Sequence, residues 1–407
     1  MRISTSMLYD LGVNGINQQF SDLLKIQQQM ATGRRVLSPA DDPIAAARAL
    51  DVTQSKSIND QFITNSGIAT DALELQESVL TQVTEMLQDA RVIAVNAGNL
   101  VLSRADLDSL ASEVQSRYDQ LLSQANATDG SGQYLFAGFR SNTQPFAEAA
   151  PGTVAYNGDQ GQRLLQVSAS RQLAVSSSGA EVFQLIRDGN GTFVTAADSG
   201  NIGTGIVSPG TALDRDAWEA SSRDFTINFT SATTYDIIDN GPPSSTLVSG
   251  ATYSSGSSIT FAGAQFNITG VPATGDSFSV QASRTDQDIF STLNDLITAL
   301  RTQGGGAGPA SNAALTNSLN SAFSNIDQAL DKVLTVRATV GASLREVDSH
   351  VNAAEDFSLQ YSSTLSDLQD LDYAKAISDL SRKQASLEAA QQSFLRIQDL
   401  SLFNFLS

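Results

Sequence analysis

Cysteine is absent from this chain and histidine occurs once. Without thiols there is no disulfide framework, no thiolate metal site and no cysteine nucleophile. With His350 alone, inside a helical pattern, no nucleophile–base pair can be assembled. A basic run or stripe is also missing. The 24 Lys and Arg against 43 Asp and Glu leave a net charge of −19, which disfavours nucleic acid and anionic lipid as partners and reads as solubility. No run of about 18 apolar residues occurs, so no membrane insertion is expected. The opening MRISTSMLYDLGVNG has neither a continuous apolar core nor a small-residue cleavage site, so no cleaved leader is expected. By these signs alone the chain would be placed in the cytoplasm.

What is present is helix at both ends. Val13, Ile16, Phe20, Leu23 and Met30 recur in steps of three and four, the seam of a coiled coil, with Gln27 filling one slot. The other end mirrors it, with Ile377, Leu380, Leu387, Phe394 and Ile397 on one stripe. Each helix has an apolar face with no local cover, so the two are expected to pair with each other or with neighbouring copies. Longer helical patterns lie within. Ser103 with Asp106 three residues on reads as a capping box. The stripe from Leu315 to Leu368 would form a helix roughly 80 Å long, which implies an elongated bundle or a fibre.

Between residues 133 and 285 the period changes to two. QRLLQVSASRQLAV, DFTINFT, SSITFAGAQFNITG and DSFSVQAS alternate apolar and polar residues between turn signals. The expected fold class is therefore α+β: a helical bundle or coiled coil built by both ends of the chain, with an inserted mostly-β domain. The expected division is 1–36 with 372–407 as terminal coiled-coil helices, 37–132 with 286–371 as a long-helix bundle, and 133–285 as a β-rich insert of one or two subdomains.

The stretch TGRRVLSPADDPIAAARAL interrupts the first helical pattern. Asp41 and Asp42 are the best acid–base candidates, yet adjacent residues do not face each other across a substrate. Asp42 instead fits an N-cap with Pro43 at the first helical position, and Gly33 fits the stop of the preceding helix. Pro39 keeps the segment between them extended, while Arg34 and Arg35 are either solvated or paired with acidic groups on neighbouring subunits. DGNGT from Asp188 starts like an EF-hand loop, but Phe193 stands where glycine is needed, so a turn is expected. GGGAG at 304–308 has no following lysine and reads as a linker. Asp367, Asp370 and Asp372 could gather a calcium ion, although a solvated helix end fits them better. No catalytic, cofactor or metal site is expected, and the chain is not expected to be an enzyme.

The terminal heptads, GRRVLSPADDPIAAARAL and DLDYAKAISDLSRKQASLEAAQQSFLRIQDLSLFNFLS resemble bacterial flagellins and flagellin-like axial proteins. Within that family GQYLFAGFRSNTQPF, residues 132–146, and the following YNGDQGQRLLQVSASRQLAVSSSGAEVF look like the hook–filament junction branch, hook-associated protein 3. NITGVPATGDSFSV is similar to β-domain segments of hook-associated proteins, whereas residues 190–260 show no such likeness. The resemblance implies terminal helices that fold as an inner tube on assembly, with Gly33, Arg34, Arg35, Pro39, Asp41, Asp42 and Pro43 forming the joint to the next layer. It implies as partners hook-associated protein 1 (the preceding junction ring), flagellin, further copies of the chain itself in a ring, a cytoplasmic export chaperone and the flagellar type III export apparatus. It also implies an extracellular location reached without a cleaved leader, which overrides the cytoplasmic reading. The implied function is a structural adaptor between hook and filament. A short flagellin is the alternative, and a secreted coiled-coil adhesin a more distant one.

Overall fold

The computed structural model describes residues 5–99, 101–150, 152–306 and 308–406, with side chains described at residue 7 and, within those ranges, from 9 to 396. Six long helices make up about half of the chain: α1 (Thr5–Thr32), α2 (Pro43–Ala97) and α3 (Arg104–Ala125) before the β region, and α6 (Ile289–Thr302), α7 (Pro309–Gln369) and α8 (Tyr373–Leu406) after it, with the short α4 (Gly179–Phe183) and α5 (Arg215–Glu219) inside the β region. Two compact units result. The first joins residues 1–64 to 349–407, and the second is residues 65–348.

In the first unit α1 and α8 run antiparallel, as the Tyr9 ring packs at a tilt against Phe394 with centroids 5.1 Å apart and Asp22 meets Lys383 at 2.7 Å. The start of α2 and the end of α7 also meet there, where the buried Asn59 amide donates to the Ala354 carbonyl at 2.6 Å.

In the second unit α2 and α7 lie antiparallel, tied by Arg337 to Glu77 at 2.7 Å and Arg91 to Asp327 at 2.7 Å. α3 begins with the expected capping box: Asp106 N–H donates to Ser103 Oγ, and the Asp106 carboxylate accepts from Ser103 N–H. Leu107, Val114 and Leu121 of α3 pack on α6, whose buried stripe includes Leu293, Leu296 and Leu300.

The strands form two further packing centres. The hairpin β1 (Phe146–Ala150)–β2 (Thr153–Tyr156) supplies Phe146 to an aromatic cluster with Phe136, Phe183 and Phe290, whose neighbouring ring centroids are 5.2–6.1 Å apart, and β3 (Leu164–Ser168)–β4 (Arg171–Ala174) forms a second hairpin. The YLFAG segment supplies Phe136, and Gly138 is required beside it. Its φ is +69°, and a Cβ there would lie 2.2 Å from the Asp159 carboxylate.

The second centre is a sandwich. One antiparallel sheet has the order β10 (Ser245–Thr252), β9 (Thr234–Asp239), β8 (Asp224–Ser231), β13 (Ser277–Ala282), β5 (Phe193–Ala197). The facing sheet pairs β11 (Ser258–Phe261) and β12 (Ala264–Thr269) with β6 (Ile206–Val207) and β7 (Thr211–Ala212). Alternation fixes which residues face inward: Phe225, Ile227 and Phe229 of β8 are buried while their neighbours are not. They share a core with Phe261, Phe266 and Ile268 of the opposite sheet and with Trp218.

Candidate functional site

The terminal pair and its joint are built from complementary stripes. On α1, Leu23 is buried and Gly12, Ile16, Gln19, Ile26 and Met30 are half-buried, spaced by alternating steps of four and three. On α8, Ala376 is buried and Leu380, Lys383, Leu387, Ala390 and Phe394 are half-buried with the same spacing. The apolar stripe read from the sequence shares Ile16, Leu23 and Met30 with the first set, and Leu380, Leu387 and Phe394 with the second. Val13 is half-buried beside it. Phe20 and Ile377 are 51% and 52% exposed, on a flank that this chain leaves uncovered. Ile397 lies outside the residues whose side chains are described.

Gly12, Ala376, Ala390 and Lys383 belong to the covered seam although hydrophobic periodicity passes over them. Gly12 admits the Phe394 ring, which would lie 2.8 Å from a Cβ at that position. Lys383 places its amine on Asp22 and its alkyl stem along the seam. Small size and ion-pair complementarity carry this information, and neither enters a hydrophobic pattern.

The joint follows directly. Gly33 ends α1 with φ +70°, and its carbonyl accepts from Leu371 N–H at 2.9 Å. Arg35 N–H donates to the Gln369 carbonyl at 2.7 Å, so residues 34 and 370 form an antiparallel bridge where α7 gives way to α8. The Arg35 guanidinium reaches Asp42 at 3.1 Å and the Leu368 carbonyl at 2.7 Å. Thus Arg35 is engaged within the chain, whereas Arg34 is exposed.

The two aspartates do different work. Asp42 Oδ1 accepts from Ala45 N–H at 3.0 Å, capping α2 with the exposed Pro43 in its first turn. Asp41 Oδ2 accepts from the N–H groups of Leu37 and Ser38 at 3.1 and 3.0 Å, closing the turn that contains Pro39, while Oδ1 meets Lys25 at 2.6 Å. The Lys25 ammonium and those two N–H donors pull the Asp41 carboxyl down to about 2. Asp42 is also lowered, by its capping bond first and then by Arg35.

Sequence reasoning missed Lys25 and Gln29 (whose amide donates to the Arg35 carbonyl at 2.6 Å), and it gave no part in the joint to Tyr373 (whose hydroxyl donates to the Met30 carbonyl at 3.2 Å) or to Asp372, which caps α8 through Lys375 N–H at 3.1 Å. The Asp372 cap was legible by the same rule that identified Asp42. A cleft of about 200 Å³ opens beside the joint, lined by Arg34, Leu37, Pro39, Leu50 and Gln369. Among the described residues no helix is long and apolar enough to cross a membrane.

Paired terminal helices, a connector with two differently employed aspartates and a β region inserted between long helices define a flagellin-like axial protein. The bacterial flagellin N-terminal helical region matches residues 3–141, and the bacterial flagellin C-terminal helical region matches residues 323–406. The chain is 29% identical to the flagellar hook-associated protein 3 of Salmonella typhimurium over 405 residues, which is 99% of each. The crystal structure of Xanthomonas campestris FlgL is similar at 33% identity and a TM-score of 0.71, covering 77% of this chain and 99% of that one. A flagellin of Escherichia coli, by contrast, is matched over 29% of this chain and 22% of its own length. The chain belongs to the flagellar hook-associated protein 3 (FlgL) family, and its role is structural, as a component of the flagellum.

Proposed function

We propose that the chain joins hook to filament. In this reading one side of its ring packs on hook-associated protein 1, and the other presents a surface on which flagellin polymerises. Copies of the chain pack side by side through the flanks of α1 and α8, where Tyr9, Phe20, Leu24, Tyr373 and Ile377 are each between 43% and 52% exposed. Apolar flanks adjoining an already occupied seam are suited to a second helix partner. Gly33, Arg34, Arg35, Pro39, Asp41, Asp42 and Pro43 set the angle at which the terminal pair leaves the long helices, and Arg34 is placed to meet a carboxylate of a neighbouring subunit. The chain travels through the flagellar type III export apparatus with a cytoplasmic chaperone, and it has no catalytic role.

The observation that carries this reading is likeness to hook-associated protein 3 along 99% of both chains, including the β region where flagellins differ. Deleting the gene in the source bacterium is expected to give bare hooks with unpolymerised flagellin in the medium, seen by electron microscopy and immunoblotting. Normal filaments on the deletion strain would refute the junction role.

A further inference from the structure

A polar cavity of about 500 Å³ opens in the second unit at one end of the sandwich. Arg187, Arg215 and Arg223 line it, together with Asn190, Thr192 and Ser283. Three cations around one cavity stand out in a chain of net charge −19. Several arginines elsewhere meet carboxylates, among them Arg35, Arg91, Arg104, Arg171 and Arg337. The three cavity arginines form none among the described residues, although each has an aspartate beside it in sequence.

Asp188, Asp214 and Asp224 are committed to other bonds, and Asp216, on the other side of Arg215, is exposed and does not line the cavity. Asp188 accepts from Arg284 N–H at 2.6 Å, Asp214 caps α5 through Ala217 N–H at 2.9 Å, and Asp224 accepts from the Asn240 amide at 3.0 Å. Two of the guanidiniums are also held in place. Arg187 donates to the Gly191 carbonyl at 3.1 Å and Arg215 to Thr192 Oγ1 at 3.3 Å, so both flank the same turn. Arg223 is anchored by its backbone, which accepts from Ala282 N–H at 2.8 Å with φ +58°. Each guanidinium keeps free donors for a planar or tetrahedral oxyanion. Glu219, exposed, is the one acidic side chain among the lining residues.

We propose that this cavity binds a small polyvalent oxyanion group, several carboxylates or phosphates held together, supplied either by a soluble compound or by clustered carboxylates of a second copy of this chain. The volume lies in the range of small-ligand sites. Several guanidiniums around one cavity favour a polyvalent anion over a monovalent one.

The test is calorimetric titration of the full chain with citrate and with pyrophosphate at neutral pH and constant ionic strength, with acetate as the monovalent control. Saturable binding of citrate or pyrophosphate is expected. It should weaken by about tenfold in each of Arg187→Gln, Arg215→Gln and Arg223→Gln, vanish in the triple variant, and persist in Arg345→Gln, an exposed arginine elsewhere on this unit. Circular dichroism of each variant reports whether the fold is kept, and the single variants carry the test if the triple variant misfolds. Self-association by sedimentation that the arginine substitutions abolish, without small-anion binding, would assign the oxyanion to a second copy. Absence of both, or titrations that the triple substitution leaves unchanged, would overturn the proposal.

Discussion

Asp41 and Asp42 show how one dipeptide serves two structures. Asp42 capping was legible because an N-cap followed by proline is a local signal. The pairing of Asp41 with Lys25 was not, because those residues meet only once α1 and the connector have folded. A carboxyl held near 2, against an ordinary 3.8, is ionised in the folded state when the unfolded chain has taken up its proton. Its contribution to stability is therefore complete above about pH 4 and is lost as pH falls toward 2. Asp41→Asn should melt below the parent at neutral pH, with the gap closing between pH 4 and 2. A gap that stays constant with pH would show that charge is not what Asp41 supplies.

The terminal helices carry more apolar surface than one partner covers, and this separates two kinds of residue on the same element. Leu23 is 8% exposed and Phe20 is 51% exposed. Leu23→Ala should destabilise the α1–α8 pair by about 2 kcal/mol, the low end for a buried leucine because a two-helix seam is only partly enclosed. Phe20→Ser should change stability by less than about 0.5 kcal/mol yet reduce incorporation into flagella. Helical circular dichroism during denaturation reads the first effect, and complementation of the deletion strain reads the second. Equal loss of stability in both variants would mean that Phe20 belongs to the intramolecular seam. From sequence the stripe was visible as one broad band. Its division into a covered seam and an open flank depends on Gly12, Ala376 and Lys383, whose contribution is shape and charge.

Taken as a whole, the molecule distributes its core unevenly. The buried apolar residues of the first unit are Leu23, Ala45, Ala49, Ala354 and Ala376 among the described side chains, mostly alanines, while every phenylalanine that is buried among them, and Trp218, lies in the second. Burial of large apolar area is the main source of stability, so the first unit should open more readily. Hydrogen exchange should be fast along α1 and α8 and slow in β8 and β13; uniform protection would contradict this. The α+β architecture and most of the long strands were legible because they rest on period. The strands at 234–239 and 245–252 were missed, and β10 explains why: it is exposed along almost its whole length and carries no alternation to detect. The bridge between residues 34 and 370 has a consequence for lineage. It fixes the level of both chain breaks, but residues 370–372 span theirs with almost no slack, whereas 33–42 form a loop. Each residue inserted into the short break would turn α8 by about 100° and carry Leu380 and Leu387 off their stripe. Length changes over evolutionary time should therefore accumulate in the first connector and be purged from the second.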